Sequence, residues 1–408
     1  MKTPQSRPSV VVMTTVPETL AAFFVPQVRL LDQAGFRVSV LSSPGPVLDG
    51  LAVGPGVARY GVPLARRPSP AEDCVSLWRL VRLLRRLRPD IVHAHTPKAG
   101  LLGMAAARLA GVPVRLYTIH GLPLLTRTGP WRRILAWVEK VSVRLATETY
   151  SVSESVRQLL GELRICPAAS VQVLGDGSCG GVDIERFRPE PPESGVVAAL
   201  RARYGIPPDA VVVTFVGRLA RDKGIAVLAE AWKGASRRVP GLRLLLAGEQ
   251  DASDPVPESV LDQLRGDARV HMTGSVRNEE VPGIYAAADF AVLPTFREGL
   301  SQMALEAGAA GVPLISCRVS GLDAVADGVT GILVPARDPR RLCDAIVKLA
   351  ADAELRTRMG KAARRRIALL YAQDHVNQLW MAEYLRLAGA PLPQTAEPLA
   401  AAQVRVAR

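Results

Sequence analysis

The sequence predicts an α/β protein made of two doubly wound parallel-sheet domains. Three observations carry that expectation. Short β-rich apolar runs alternate with helical stretches along most of the chain, as a parallel sheet with helices on both faces requires. At 408 residues the chain is too long for one ordinary core and suits two domains of about 200 residues each. Midway, Phe187-Arg-Pro-Glu-Pro-Pro-Glu-Ser-Gly195 breaks the alternation with a Pro- and Glu-rich stretch that reads as a linker.

The first half runs strand Ser9–Thr14, helix Thr19–Ala34, strand Arg37–Ser42, helix Ala71–Arg88 and strand Asp90–His95. Helix Lys98–Ala110, strand Arg115–Ile119, helix Trp131–Ala146 and strand Thr149–Val152 follow. Ligands in such sheets sit beyond the carboxyl ends of the strands, which directs attention to the loops after Thr14, His95, Ile119 and Val152. The run from Gly54 to Gly61 has the wrong glycine spacing for a dinucleotide fingerprint and reads as a loop. His93 and His95 put two rings on one face of a strand, but no third ligand or nearby cysteine supports a metal. His120 ends an apolar strand and precedes Gly121, so it suits a ligand contact or a satisfied structural role.

Two helices are basic and amphipathic. Leu77, Leu80, Val81, Leu84 and Leu87 form a stripe among arginines, as expected of a helix covering a sheet. Trp131, Ile134, Leu135, Val138, Val141 and Leu145 form another. There Trp131 and Trp137 beside Arg132 and Arg133 suit a membrane interface as well as a sheet-covering role.

Composition narrows the class. Hydrophobic residues at 48% against 22% charged residues are globular. The five cysteines, at 74, 166, 179, 317 and 343, contain no C-x-x-C pair and fit a reducing compartment. The N-terminus has no apolar signal core and no transmembrane helix is expected, so the reading is cytoplasmic. Of the net charge of +13, residues 1–190 hold 24 Lys/Arg against 14 Asp/Glu, a surplus of 10. A basic first half suits an anionic membrane surface or substrate, or reflects an Arg-rich composition. With aromatics at 5%, basic residues are not interleaved with stacking rings, which argues against nucleic acid.

In the second half the order is strand Val211–Val216, helix Gly224–Arg238, strand Leu242–Ala247, helix Val256–Arg265 and strand Val270–Thr273. Helix Glu279–Ala287, strand Phe290–Pro294, helix Ser301–Ala310 and strand Pro313–Cys317 complete it. The first strand ends in Val216-Gly-Arg-Leu-Ala-Arg-Asp-Lys-Gly224, where Arg218 and Lys223 are two cations on one loop. Such a loop suits a phosphate without being a P-loop. Further on, Glu298 and Glu306 flank a helix start whose free amides and dipole favour an anion.

Gly217-Arg-Leu…Asp222-Lys-Gly224, Ala286-Ala-Ala-Asp289, Glu298-Gly-Leu…Glu306-Ala and Asp327-Gly…Gly331-Ile-Leu-Val-Pro335 together resemble the retaining GT-B glycosyltransferases of family 4. Val92-His-Ala-His-Thr-Pro-Lys-Ala-Gly100, Tyr117-Thr-Ile-His-Gly-Leu-Pro123 and Gly175-Asp-Gly-Ser-Cys-Gly-Gly-Val-Asp183 resemble the subgroup that builds bacterial capsule, exopolysaccharide and O-antigen units. The resemblance implies two Rossmann-like domains facing each other across a cleft, with acceptor-binding residues 1–189, linker 190–196 and donor-binding residues 197–373. It also implies a helix 374–388 returning to the first domain and a loose tail 389–408.

For the site, the resemblance implies a nucleoside diphosphate sugar, UDP-linked in the first instance, whose diphosphate is held by Arg218 and Lys223 with Gly217 beneath. Amides of Gly299, Leu300 and Ser301 would join that grip, Glu306 would bind the ribose and Glu298 the sugar, with His120 contributing from the first domain. Retention of configuration, no divalent metal and no cofactor go with it. The implied acceptor is a polyprenyl-diphosphate-linked saccharide, with Thr14, Thr15, His95 and Lys98 on its side. The loop Thr14-Thr-Val-Pro-Glu18 lacks the Gly-Gly pair of many relatives, and Ser301 stands where Pro is common. A soluble transferase with a small-molecule or protein acceptor, or a GT-B nucleotide-sugar epimerase, are the alternatives.

Overall fold

The structure is a computed structural model describing residues 7–65, 69–191 and 195–390. The expected N-terminal stretch up to 6, linker residues 192–194 and tail residues 391–408 lie outside the described residues. The chain forms two compact units, one running to Gly181 and resuming at Asp374, the other Val182–Gln373.

The first unit holds β1 (Ser9–Met13), β2 (Arg37–Ser42), β3 (Ala58–Gly61), β4 (Ile91–His95), β5 (Val114–Ile119), β6 (Glu148–Ser151) and β7 (Gln172–Val173). They make one sheet in the order β3-β2-β1-β4-β5-β6-β7, with all neighbours parallel. Every residue of β1 is buried, because its Val-Val-Val run is covered on both faces. The order reverses between β1 and β4, so the crevice beyond their carboxyl ends is where a ligand belongs. The last helix, Gln373–Ala388, packs here, with Trp380 Nε1 donating to Ser178 O at 3.3 Å.

Two expectations need correction in this unit. The stretch Thr19–Ala34 is two helices, Pro17–Phe23 and Val25–Gln33, broken at Phe24. Pro26 has no N–H to continue the ladder, and Phe24 closes the first helix on Leu20 O at 3.0 Å. The run Gly54–Gly61 is not all loop, since its last four residues form edge strand β3. Its side chains are half-exposed or exposed, so an apolar pattern could not announce it.

The second unit holds β8 (Val211–Val216), β9 (Leu242–Ala247), β10 (Val270–Gly274), β11 (Phe290–Leu293), β12 (Leu314–Cys317) and β13 (Gly331–Val334). The order is β10-β9-β8-β11-β12-β13, again parallel throughout. Phe215, Leu244, Leu246, Phe290, Trp232 and Tyr285 are fully buried in its core. Here the switch falls between β8 and β11, and it brings the Arg218–Lys223 loop beside the Glu298 loop.

The unit boundary falls at Gly181–Val182 rather than near 189. Val182 donates to Tyr371 O and accepts from Gln373 N at 2.9 Å each, which ties the segment to the second unit. Phe187 is buried there against Tyr285, at 6.0 Å between ring centroids.

Candidate functional site

In the second unit, Lys223 and Glu298 meet at the switch point, Nζ to Oε1 2.6 Å. Arg218 is paired with Asp251 and its side chain is well exposed. Both proposed phosphate cations therefore stand at the carboxyl edge, each with an acid partner. Gly224, at φ +73°, begins the helix Ile225–Arg238, and a Cβ there would overlap Pro294 O. Gly321, at φ +81°, lies so close to Glu298 that a Cβ would meet the Glu298 Cβ at 2.7 Å. These close approaches seat both Gly224 and the segment after β12 against the stretch from Pro294 to Glu298.

Helix Gln302–Ala309 begins one residue later than expected, with Ser301 as its N-cap accepting from Ala304 N at 3.3 Å. The Ser301 N–H is spent on Gly321 O at 2.9 Å, so in this structure it does not face an anion as the sequence suggested. Gly217, Gly299 and Leu300 line the same edge, half-buried. Glu306 accepts from Tyr285 Oη at 3.1 Å. Burial pushes its carboxyl up to about 7, against a smaller lowering by Tyr285. Tyr285, the partner that makes an acid tolerable there, is not marked by any motif.

The first unit gathers its histidines. His93 Nδ1 is 2.5 Å from Tyr384 Oη and its Nε2 2.7 Å from Thr118 Oγ1. The His95 ring stacks 3.9 Å from that of His93, and its Nδ1 lies 2.9 Å from His120 Nε2. Phe24 covers His95 at 4.0 Å between ring centroids. Burial lowers the pKa of all three histidines, that of His120 to about 4, so they are neutral at physiological pH. His95 Nε2 is buried without a partner. An orphan N–H is dearer than an orphan lone pair, which favours His95 as the Nδ1–H donor to His120. His120 then carries its proton on Nδ1, 3.7 Å from Cys179 Sγ.

The remaining acceptor-side candidates separate. Thr14 is wholly buried, its hydroxyl donating to Val16 O at 2.8 Å, so it shapes the turn and is not exposed to a ligand. Thr15 Oγ1 lies 2.7 Å from Thr96 Oγ1, and Thr96 is held at φ +74°, a strained value for a β-branched residue. Lys98 is paired with Asp73 at 2.7 Å.

The comparisons with known proteins follow the same division. Residues 18–177 match the family described as "Glycosyl transferase 4-like domain" and residues 210–352 that described as "Glycosyl transferases group 1". The capsular polysaccharide biosynthesis glycosyltransferase CapM of Staphylococcus aureus is 30% identical over 343 residues, covering 84% of this chain and 87% of that protein. The chain belongs to the family 4 GT-B glycosyltransferases.

A further relative of this glycosyltransferase is the UDP-Gal:alpha-D-GlcNAc-diphosphoundecaprenol alpha-1,3-galactosyltransferase of Escherichia coli, 29% identical over 83% of this chain and 86% of that one. A D-inositol 3-phosphate glycosyltransferase of Saccharomonospora viridis is 32% identical over 74% and 72%. The fold agrees with that of a sucrose-phosphate synthase from Thermosynechococcus elongatus, at a TM-score of 0.78 over 94% of this chain and 100% of that one, with 23% identity. Among the described residues no group of three or more His, Cys, Asp or Glu could hold a metal, and no helix is long and apolar enough to cross a membrane.

The transferase's helix Gly129–Leu145 carries its apolar residues on two sides, not the single face expected. Leu135, Val143 and Leu145 pack on the core, while Trp131 (53%), Ile134 (44%) and Trp137 (59%) are exposed. Arg132 and Arg133 are exposed beside them. The fully buried positions are Glu139 and Ser142. Glu139 accepts from Tyr117 Oη at 2.9 Å, and burial raises its carboxyl to about 7. The helix turns two polar groups inward and two tryptophans outward.

Proposed function

We propose that this glycosyltransferase moves a sugar, with retention, from a UDP-sugar to a polyprenyl-diphosphate-linked saccharide. It works at an anionic membrane surface and without a metal. The observation that carries the donor assignment is the Lys223–Glu298 pair at the switch point of the second unit. A diphosphate reaching that edge takes the ammonium of Lys223 and the guanidinium of Arg218, and Glu298 turns to sugar hydroxyls. As the bond to the sugar breaks, charge builds on the leaving phosphate, which these two cations stabilise. Glu306 receives the ribose hydroxyls.

A thermal-shift screen across UDP-, GDP- and other nucleotide sugars tests the donor. At 100 times its dissociation constant a ligand adds about 2.7 kcal/mol, or a rise of roughly 5–10 °C. The largest rise is expected with a UDP-sugar. No rise with any nucleotide sugar would remove the assignment.

The membrane part rests on Trp131, Ile134 and Trp137 exposed on one basic helix, a combination that suits the interface of an anionic bilayer. Binding to phosphatidylglycerol vesicles at low salt is expected to fall at least tenfold in the double variant Trp131→Glu/Trp137→Glu, with activity on a water-soluble acceptor retained. Wild-type protein that stays in the supernatant favours the second reading, a soluble enzyme with a small-molecule acceptor, which the inositol-phosphate relative supports.

A further inference from the structure

We infer that Asp222 and Arg297 form a positioning clamp that holds Lys223 and Glu298 for a nucleoside diphosphate; the inference rests on the donor reading above. The chain places two charged dipeptides, Asp222-Lys223 and Arg297-Glu298, on loops that leave neighbouring strands β8 and β11. They pair one to one. Arg297 meets Asp222 Oδ2 at 2.7 Å and Lys223 meets Glu298 Oε1 at 2.6 Å. The order of charges is reversed between the two loops. A slip of one residue would therefore bring Asp222 against Glu298, or Lys223 against Arg297, and like charges at that range repel.

The backbone is fastened at the same place. Asp222 O accepts from Phe296 N at 2.8 Å and from Thr295 Oγ1 at 3.2 Å, and Asp222 N donates to Asp254 Oδ2 at 3.1 Å. Thr295 Oγ1 also reaches Arg297 O at 3.0 Å. Asp222 is the deepest of the four side chains, 7% exposed, against 12% for Glu298, 20% for Lys223 and 27% for Arg297. Asp222 is the anchored member, and Arg297 reaches it from the loop that also carries Glu298.

An ion pair with one partly exposed member adds little to stability on its own. Asp222 moreover keeps its Oδ1 buried without a partner. What the Asp222–Arg297 pair supplies is register. It fixes where the ammonium of Lys223 stands when a diphosphate draws it from Glu298, and misplacement by about 1 Å is costly in such sites.

The test is a double-mutant cycle read by calorimetric titration of UDP, with GDP as the second probe, on the full chain. Arg297→Gln is expected to weaken nucleotide binding about tenfold or more, and Arg297→Lys by less than about threefold, since the charge is kept. In a Lys223→Ala background, Arg297→Gln should change the affinity by less than about twofold, because the residue it positions is gone. Asp222→Asn, nearly isosteric, repeats the cycle should Arg297→Gln fail to fold. Full loss from Arg297→Gln in both backgrounds, or none in either, overturns the clamp. If Lys223→Ala itself leaves nucleotide affinity unchanged, the donor reading falls, and the clamp with it.

Discussion

Replacing Lys223 by alanine is expected to lower turnover by about 10²–10³-fold, the usual cost of removing one fixed group that stabilises developing charge. The variant also strands Glu298, whose side chain is only 12% exposed, without its cation. That loss is expected to cost about 1–3 kcal/mol of stability, below the cost for a fully buried pair. A fall in activity could then be blamed on the fold. The double variant Lys223→Ala/Glu298→Gln removes the stranded charge, so its melting temperature should return towards wild type. Its turnover should not. Wild-type turnover in a folded Lys223→Ala protein would sink the diphosphate assignment, whatever the melting temperature shows.

The two-domain α/β fold was legible because its central strands are apolar runs buried on both faces, such as Ser9–Met13 and Phe290–Leu293. Edge strands escape that signal. Ala58–Gly61 exposes half its side chains and Gln172–Val173 is two residues long, so neither shows an apolar pattern. Periodicity also finds a stripe without saying which way it faces. In Gly129–Leu145 the bond from Tyr117 to Glu139 turns a polar side inward, and a partner on another element is invisible in a local window.

The same holds for the candidate site. Arg218, Lys223, Glu298 and Glu306 stand in motifs, whereas Asp222–Arg297, 75 residues apart, and Tyr285–Glu306 exist only once the sheet is assembled. A faint signal was present for the first. Two dipeptides of mirrored charge, at the ends of strands that a doubly wound sheet makes neighbours, ask to be paired. None marked His95 as the partner of His120, since two rings on one strand suggest each other first.

Glu306→Gln is expected to make the protein more stable and a poorer nucleotide binder. The folded carboxyl titrates near 7 against an ordinary 4.5. A carboxyl raised on folding contributes stability below its unfolded pKa, and that contribution is lost as pH climbs from about 4.5 to 7. At pH 8 the wild type carries the whole penalty, up to about 3 kcal/mol at 1.36 kcal/mol for each pKa unit. Glutamine escapes it. The variant should therefore melt higher at pH 8, and the gap should close by pH 4.5. An acid held at such a cost is explained if ligand hydroxyls compensate its ionised form. Nucleotide affinity in the wild type should then rise between pH 6 and 8, beyond the rise due to the phosphate. In Glu306→Gln that excess should vanish, with affinity about tenfold lower at pH 8. Equal pH profiles in the two proteins would leave Glu306 a structural acid bonded to Tyr285, and the ribose would have to be held by other groups.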